Sequence, residues 1–193
     1  MDLQLTNKVA FVPGGSRGLG EAVCRGLAAE GTKVAVNYDL DPERGINLVD
    51  EANRVAKHIK DDYGTEVLVV PGDVSKISDV RQMFDRTEAS LGPIDVLVNN
   101  AGDWPTAYVK DMTDREWDST LAVNLTGPFL TCREAVRRWL GGGRQGRIVN
   151  ITSQAAFHGS TSGHAHYAAS KAGLVTFSVS LAGVVAAEGV LVI

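Results

Sequence analysis

Residues that build disulfide or metal frameworks are scarce in this sequence. It has only two cysteines, Cys24 and Cys132, and both lie inside predicted helices, far apart along the chain. Such a pair is typical of free thiols in a reducing compartment and not of a disulfide scaffold. No Cys-x-x-Cys or His-x-x-x-His spacing occurs, so we expect no metal site.

Positive charge and long apolar runs are lacking as well. Nineteen Lys and Arg residues are outnumbered by 23 Asp and Glu residues, which gives a net charge of -4. Nucleic-acid binding needs a basic face that neutralises phosphates, so we expect no nucleic-acid partner. No apolar run approaches the ~18 residues of a membrane span. The first residues also lack the basic and apolar regions of a signal peptide. We therefore expect a cytoplasmic protein with no membrane contact.

The sequence instead alternates short apolar runs with longer amphipathic segments, and its length predicts one domain over residues 1–193. Nearly continuous apolar runs predict parallel strands covered on both faces. These runs are 9–12, 34–38, 67–70, 94–98, 147–151 and 190–193. Helical spacing predicts helices over 18–29, 44–60, 78–90, 113–140 and 166–187. A capping-box pattern at Thr113 and Glu116 marks the start of the fourth helix. This alternation predicts a doubly wound α/β fold with right-handed crossovers.

A glycine-rich turn joins the first strand to the first helix, with the sequence Pro-Gly-Gly-Ser-Arg-Gly-Leu-Gly over residues 13–20. Gly14 permits a sharp turn, Gly18 lets the backbone approach a pyrophosphate, and Gly20 allows the helix and the strand to pack closely. The helix N-terminus then offers N–H groups and a partial positive charge to phosphates. No Gly-Lys-Ser/Thr follows, which excludes a Walker loop. A plain strand–helix turn without a ligand is the alternative.

Tyr167 and Lys171 are four residues apart in the last predicted helix, a spacing that places both side chains on one face. An ammonium group beside a phenol favours the phenolate form. A tyrosine in this setting can exchange a proton with a ketone or alcohol oxygen while hydride moves to or from a nicotinamide. Because Tyr-x-x-x-Lys pairs are common, an ordinary helix surface is the alternative for the bare pattern.

These motifs together resemble the short-chain dehydrogenase/reductase family. Its glycine pattern is Gly-x-x-x-Gly-x-Gly, its fourth strand ends in Asn-Asn-Ala-Gly, as at residues 99–102, and its fifth strand delivers a serine, here Ser153. The resemblance implies a three-layer Rossmann fold with strand order 3-2-1-4-5-6 and an activity similar to that of 3-oxoacyl-carrier-protein reductases. It also implies a catalytic tetrad: Asn124 supports a water chain to Lys171, Ser153 holds the substrate oxygen, and Tyr167 transfers the proton.

The resemblance further implies a nicotinamide dinucleotide cofactor. Its expected contacts are Gly14, Ser16, Arg17, Gly18, Leu19, Gly20, Asp73, Val74, Asn100, Ala101 and Gly102, together with Tyr167 and Lys171. In Rossmann folds an acidic side chain after the second strand binds the ribose 2′-hydroxyl, whereas a basic one accommodates a 2′-phosphate. Tyr38 occupies the acidic position, Asp39 is expected to point elsewhere, and Arg17 is basic, which favours NADP. NAD is the alternative if Asp39 reaches the ribose.

The family's fold continues beyond the point where this sequence stops. After the sixth strand the family has a turn over the nicotinamide, a substrate loop, a helix and a seventh strand, so we expect a C-terminally incomplete domain. The expected partners are a small carbonyl or alcohol substrate and further copies of the chain, which pair through helices 113–140 and 166–187. One alternative is a dinucleotide-binding module that pairs with a complete subunit without turnover. Another is a methyltransferase-type fold, which gives Ser153, Tyr167 and Lys171 no role.

Overall fold

Six parallel strands form the central sheet of the computed structural model, which describes residues 3–41 and 45–193. They are β1 (Val9–Val12), β2 (Lys33–Tyr38), β5 (Val67–Pro71), β6 (Val96–Asn99), β7 (Gly146–Asn150) and β8 (Val190–Val192). Their spatial order is β5-β2-β1-β6-β7-β8. Counted along the chain within this sheet, that is 3-2-1-4-5-6, which confirms the predicted topology.

Helices cover both faces of the sheet, which makes three layers. They are α1 (Gly18–Ala29), α2 (Val49–Tyr63), α3 (Ile77–Leu91), α4 (Asp114–Leu121), α5 (Gly127–Gly141), α6 (Ala155–His158) and α7 (Ala165–Val185), which a 3₁₀ turn (Ala186–Glu188) follows. One apolar core packs α1 and α2 against the sheet, and the other packs α3, α5 and α7. All four residues of β1 are buried between these cores, as its continuous apolar run predicts.

The predicted helix over 44–60 is wrong at both ends. Leu40–Asp41 (β3) and Ile46–Asn47 (β4) form a two-stranded antiparallel hairpin, and α2 begins only at Val49 and continues to Tyr63. Residues 42–44 lie outside the described residues. The helix ends where Gly64 adopts a left-handed conformation with φ of 65°. The hairpin displaces the start of the helix because its backbone groups pair across the turn, with Leu48 N–H donating to the Asp39 carbonyl over 3.3 Å.

The predicted helix over 113–140 is present but contains one wide turn. Thr113 caps α4 with the predicted capping box, in which its hydroxyl accepts from Glu116 N–H and the Glu116 carboxylate accepts from Thr113 N–H. A π-helical turn at Ala122–Thr126 then joins α4 to α5. Pro128 has no N–H group for a bond to the Asn124 carbonyl, which removes one regular helical hydrogen bond at this point.

The last helix corrects the expectation that no segment matches a membrane span in length. Residues Ala165–Glu188 meet the criterion of length and apolar composition, and they are the one such segment within 3–41 and 45–193. In this structure α7 packs against β8, α4 and the π-helical turn. Length and composition alone do not distinguish a membrane span from the long helix of a globular protein.

Candidate active site

A cavity of about 560 Å³ lies at the carboxyl ends of the parallel strands. It spans the loops after β1 and β6, where the strand order reverses and where open α/β sheets bind their ligands. All the predicted dinucleotide contacts except Tyr167 and Lys171 line it: Gly14, Ser16, Arg17, Gly18, Leu19, Gly20, Asp73, Val74, Asn100, Ala101 and Gly102. The fold thus brings separate predicted segments together around one space.

The glycine loop can adopt its tight conformation only because Gly14 and Gly20 have no side chains. Gly14 has a φ of +71°, and a Cβ there would lie 2.8 Å from the Ala101 Cα. A Cβ on Gly20 would lie 2.1 Å from the Gly14 carbonyl oxygen, inside van der Waals contact. Gly18, at φ +55°, has no atom within 4 Å of its Cβ position, so its backbone faces open space at the cavity. This is the shape that a pyrophosphate needs at the first turn of a helix.

Two asparagines outside the loop hold it in place. Asn37, a polar residue within β2, accepts a hydrogen bond at its Oδ1 from Gly14 N–H over 3.0 Å. Asn100 Nδ2 donates to the Gly14 carbonyl over 2.9 Å from the other side. Gly15 N–H also bonds to the Val12 and Asn37 carbonyls, so the turn closes without a contribution from Pro13. The sequence analysis missed Asn37, although a polar residue inside an apolar strand is a usable signal.

The end of β2 contradicts one expectation. Asp39, which was expected to point elsewhere, lines the cavity together with Arg17, whereas Tyr38 is buried in the core. The hairpin after β2 adds a wall that the sequence analysis also missed, formed by Gly45, Ile46, Asn47 and Leu48. The hairpin fixes Asp39 because the Asp39 carbonyl accepts the Leu48 N–H. The lining of the cavity therefore includes both an acidic residue and a basic residue.

Asp73 stands where β5 leads into α3, and its carboxylate is already engaged. Its Oδ1 accepts from the Ser75 N–H over 2.8 Å and from the Ser75 hydroxyl over 2.7 Å, and its Oδ2 lies 3.3 Å from Lys76 Nζ. Burial raises the pKa of Asp73, but the bonds from Ser75 and the charge of Lys76 outweigh it, so the pKa falls below its usual value. We expect Asp73 to stay ionised at the cavity wall.

Lys171 and Asn124 meet at Gly102, on the edge of the cavity. A Cβ on Gly102 would lie 3.0 Å from Asn124 Oδ1 and 3.8 Å from Lys171 Nζ. Asn124, in the π-helical turn, is fully buried and bonds the Asp103 backbone, from which it accepts an N–H over 2.9 Å and to whose carbonyl it donates over 2.7 Å. Lys171 Nζ donates to the Ile151 carbonyl over 2.8 Å. Burial lowers the pKa of Lys171 from 10.5 to about 8.

Tyr167 lies beside this lysine, whereas Ser153 lies between β7 and α6. Lys171 Nζ lies 5.8 Å from the centroid of the Tyr167 ring, as expected for side chains one helical turn apart. Ser153 follows β7, its hydroxyl accepts from Ala155 N–H over 3.2 Å, and α6, which begins there, packs against α7. Neither Tyr167 nor Ser153 lines the cavity itself. The structure thus places Tyr167 beside Lys171 on α7. It places Ser153 just before α6, the short helix that packs against α7.

His166, next to Tyr167, is fully buried. Its pKa is lowered first by burial and then by the charge of His164, against the opposing effects of Glu116 and Asp103. We therefore expect His166 to be neutral near pH 7.

The chain matches a known family model over nearly its whole length. The model is described as short chain dehydrogenase, and it matches residues 8–193. A 3-oxoacyl-[acyl-carrier-protein] reductase from Synechocystis is 38% identical over 188 residues, which are 97% of this chain and 72% of that protein. A probable tetrahydroxynaphthalene reductase from Zymoseptoria tritici is 36% identical over 90% of this chain and 61% of its own length.

Solved structures show the same likeness. A short chain dehydrogenase from Mycobacterium avium superposes with a TM-score of 0.88 at 30% sequence identity. The match covers 97% of this chain and 66% of that structure, so the chain is shorter than the proteins it matches. With the family model matched from residue 8 to 193 and the relatives at 36–38% identity, the chain belongs to the short-chain dehydrogenase family.

Proposed function

We propose that this chain forms the dinucleotide-binding and proton-transfer part of an NADP-dependent oxidoreductase that acts on a ketone or a secondary alcohol. The observation that carries the proposal is the position of Lys171 Nζ. It lies next to Gly102 and Asn124 at the cavity edge and 5.8 Å from the Tyr167 ring. The relatives are named as reductases of substrates of different shapes, a 3-oxoacyl group on an acyl carrier protein and tetrahydroxynaphthalene, which supports the reaction class but leaves the substrate open.

In this proposal the glycine loop and the first turn of α1 hold the diphosphate of the dinucleotide. Gly14, Gly18 and Gly20 leave backbone room for it, and Asn100, Ala101 and Gly102 form the neighbouring wall. When bound, the nicotinamide supplies the hydride. The lack of a Cβ on Gly102 keeps open the approach to Lys171 and Asn124.

The protein's own residues then handle the proton. Ser153 holds the substrate oxygen, and the Tyr167 hydroxyl donates its proton to that oxygen during reduction and accepts it during oxidation. With a pKa of about 8, Lys171 is mostly cationic at pH 7 and stabilises the negative charge on the phenol oxygen. Asn124 fixes the Asp103 backbone and so keeps the loop after β6 in place beside the lysine.

The test of this reaction is turnover by the purified chain with NADPH and a panel of ketones. Tyr167→Phe should lower kcat by at least about 100-fold, the usual size of one general acid–base contribution. Its affinity for NADPH should stay within a few-fold of the wild type, because the phenol oxygen is not one of the phosphate-binding groups. Turnover that survives Tyr167→Phe would refute the proton donor. NADPH binding without any turnover would favour the alternative of a non-catalytic module.

The preference for NADP rests on Arg17, whose guanidinium can pair with a 2′-phosphate. Asp39 supports a second candidate, NAD, because it lines the same cavity and a carboxylate can accept hydrogen bonds from a ribose 2′-hydroxyl. The two are separated by measuring Kd for NADPH and NADH in Arg17→Gln and Asp39→Asn. If NADP is the cofactor, Arg17→Gln should raise the Kd for NADPH about tenfold more than the Kd for NADH. If Asp39→Asn weakens NADH and leaves NADPH unchanged, NAD is the natural cofactor.

We further propose a cytoplasmic homo-oligomer that assembles through α4, α5 and α7. Large apolar side chains on these helices are exposed: Trp117, Phe129, Leu140, Val179 and Val184. Large apolar side chains that are exposed on several helices of one fold are consistent with a subunit interface. Sedimentation equilibrium of the wild type and of Val184→Lys tests the assignment. A wild type that stays monomeric at every concentration would refute it.

A further inference from the structure

We propose that the substrate of this site is a planar, ring-containing ketone or alcohol that stacks on Trp104, and not a flexible acyl chain. This inference deepens the proposed function and rests on it for the reacting group. It starts from one exposed side chain beside the phenol. The indole of Trp104 is 66% exposed, and its centroid lies 6.1 Å from that of the Tyr167 ring, with 43° between the planes.

The backbone of Trp104 is tied to the centre of the site. Trp104 N–H donates to Asp103 Oδ1 over 2.9 Å, and Asp103 N–H donates to Asn124 Oδ1 over 2.9 Å. Asp103 itself lines the cavity. Trp104 therefore directly follows a residue of the cavity wall, and its indole lies beside Tyr167.

The indole also lies against His164, whose ring centroid is 4.7 Å away. This imidazole is 7% exposed, and both of its nitrogens are within hydrogen-bond distance of hydroxyl groups. Nε2 lies 3.1 Å from Thr106 Oγ1, and Nδ1 lies 3.1 Å from Ser162 Oγ. A ring held at both nitrogens cannot turn freely, so the surface under Trp104 is rigid.

The loops that carry these two rings are also joined through their backbones. Ala107 N–H donates to the Gly163 carbonyl over 2.8 Å, and Ala107 pairs with His164 in a parallel bridge. Gly163 has a φ of +79°, and a Cβ there would lie 3.0 Å from Thr106 Cγ2. Another residue would be strained at this position, so the closed arrangement of the loops favours glycine. The exposed indole stands on a preorganised support, which lowers the entropy lost when a ligand stacks on it.

This arrangement favours a flat ligand for an energetic reason. Aromatic rings with centroids about 4.5–7 Å apart attract each other beyond the burial of their area. An acyl chain would also cover the indole, but it lacks a π face and gains only from burial. A planar ring on the free part of the indole lies next to Tyr167, where a carbonyl attached to that ring can receive the proton.

The test compares 1-tetralone, a bicyclic aryl ketone, with ethyl acetoacetate, a straight-chain 3-oxo ester. Kd for each is measured by equilibrium dialysis with Trp104→Phe, which keeps a planar ring, and Trp104→Leu, which keeps only apolar volume. Trp104→Leu should raise the Kd for 1-tetralone by roughly three- to tenfold, which is the stacking contribution expressed as a ratio of Kd values. Trp104→Phe should change it by less than about threefold. Ethyl acetoacetate should be affected little by either variant.

Equal losses of 1-tetralone binding in the two variants would overturn the inference, as would an equal loss for both ligands in Trp104→Leu. Tyr63→Leu removes an exposed aromatic residue at the end of α2 and is the control for general effects. Binding and turnover are read separately. Ketone binding that depends on a planar residue 104 without any turnover would refute the proposed function and keep this inference. Turnover of both ligands, with binding that does not depend on a planar residue 104, would keep the proposed function and refute this inference.

Discussion

Lys171→Met should change the dependence of stability on pH in a defined direction. The lysine is 4% exposed, and burial lowers its pKa from 10.5 to about 8. Between these two values the unfolded chain carries a proton on Lys171 that the native protein has released. Unfolding therefore takes up a proton in this range, and the free energy of unfolding of the wild type rises with pH. Methionine has a similar length and no proton to take up, so the variant lacks this contribution.

The magnitude follows from the pKa values. One pKa unit corresponds to about 1.36 kcal/mol, so a shift from 10.5 to about 8 represents a burial cost of about 3 kcal/mol at pH 7 and below. This cost is partly relieved as pH rises toward the unfolded value. Integrated from pH 7 to pH 9.5, the wild type should gain about 2 kcal/mol relative to Lys171→Met. The lost bond to the Ile151 carbonyl shifts the variant by the same amount at each pH up to about 8, where the native lysine is still cationic.

The measurement is urea unfolding of both proteins, without nucleotide, at several pH values between 7 and 9.5. Lys110→Met, at an exposed lysine, is the control and should differ from the wild type by a constant amount. A constant difference between the wild type and Lys171→Met, or one that shifts toward the variant as pH rises, would refute the reasoning. Lys171→Met should also abolish turnover with ketones, because no cation remains beside Tyr167.

Further substitutions test the glycine loop, a helix cap and the buried histidine. Gly20→Ala places a Cβ 2.1 Å from the Gly14 carbonyl and should cost about 1–3 kcal/mol and weaken NADPH binding, whereas Gly26→Ala in the same helix meets nothing within 4 Å and should stabilise by roughly 0.5–1 kcal/mol in urea unfolding. Equal effects would contradict the packing argument. Thr113→Ala should lower the free energy of unfolding by about 1 kcal/mol, measured by thermal unfolding, whereas Thr113→Ser should keep the stability of the wild type. Equal stability of Thr113→Ala and the wild type would show that the capping box has no energetic role. Because the pKa of His166 is lowered from 6.5, the wild type should lose stability as pH falls below that value. His166→Phe should lose less stability over the same pH range, when unfolding is followed by circular dichroism. Parallel losses in the two proteins would argue against a buried neutral imidazole.

The sheet and most helices were predictable because their signals are long and repeated. Continuous apolar runs located all six strands of the main sheet to within two residues at their starts, and the resemblance to the family supplied their order. The capping box was confirmed, and it was predictable because two residues three positions apart, Thr113 and Glu116, specify it locally. The glycine loop was placed at the cavity since its position between a strand and a helix leaves few other geometries.

The missed features depend on short or non-local contacts. The hairpin of β3 and β4 has two residues in each strand, too few to show a periodicity, so its residues were assigned to a helix. Asp39 was misjudged because strand alternation predicts the opposite face, whereas the hairpin bond to its carbonyl fixes its position. The support of Trp104 by His164 joins residues 60 positions apart, and nothing in either segment alone indicates that they meet.

The π-helical turn at residues 122–126 sets the angle by which the side chains of α5 are rotated about the helix axis relative to those of α4. Each residue of an α-helix advances the side chains by about 100° around the axis. Insertion of one further residue beyond this wide turn would rotate α5 by that angle relative to α4, and Leu130 and Trp139 would turn out of the core while α4 kept its contacts with α7. We therefore expect an insertion in this stretch to destabilise the fold, even though it lies in continuous helix.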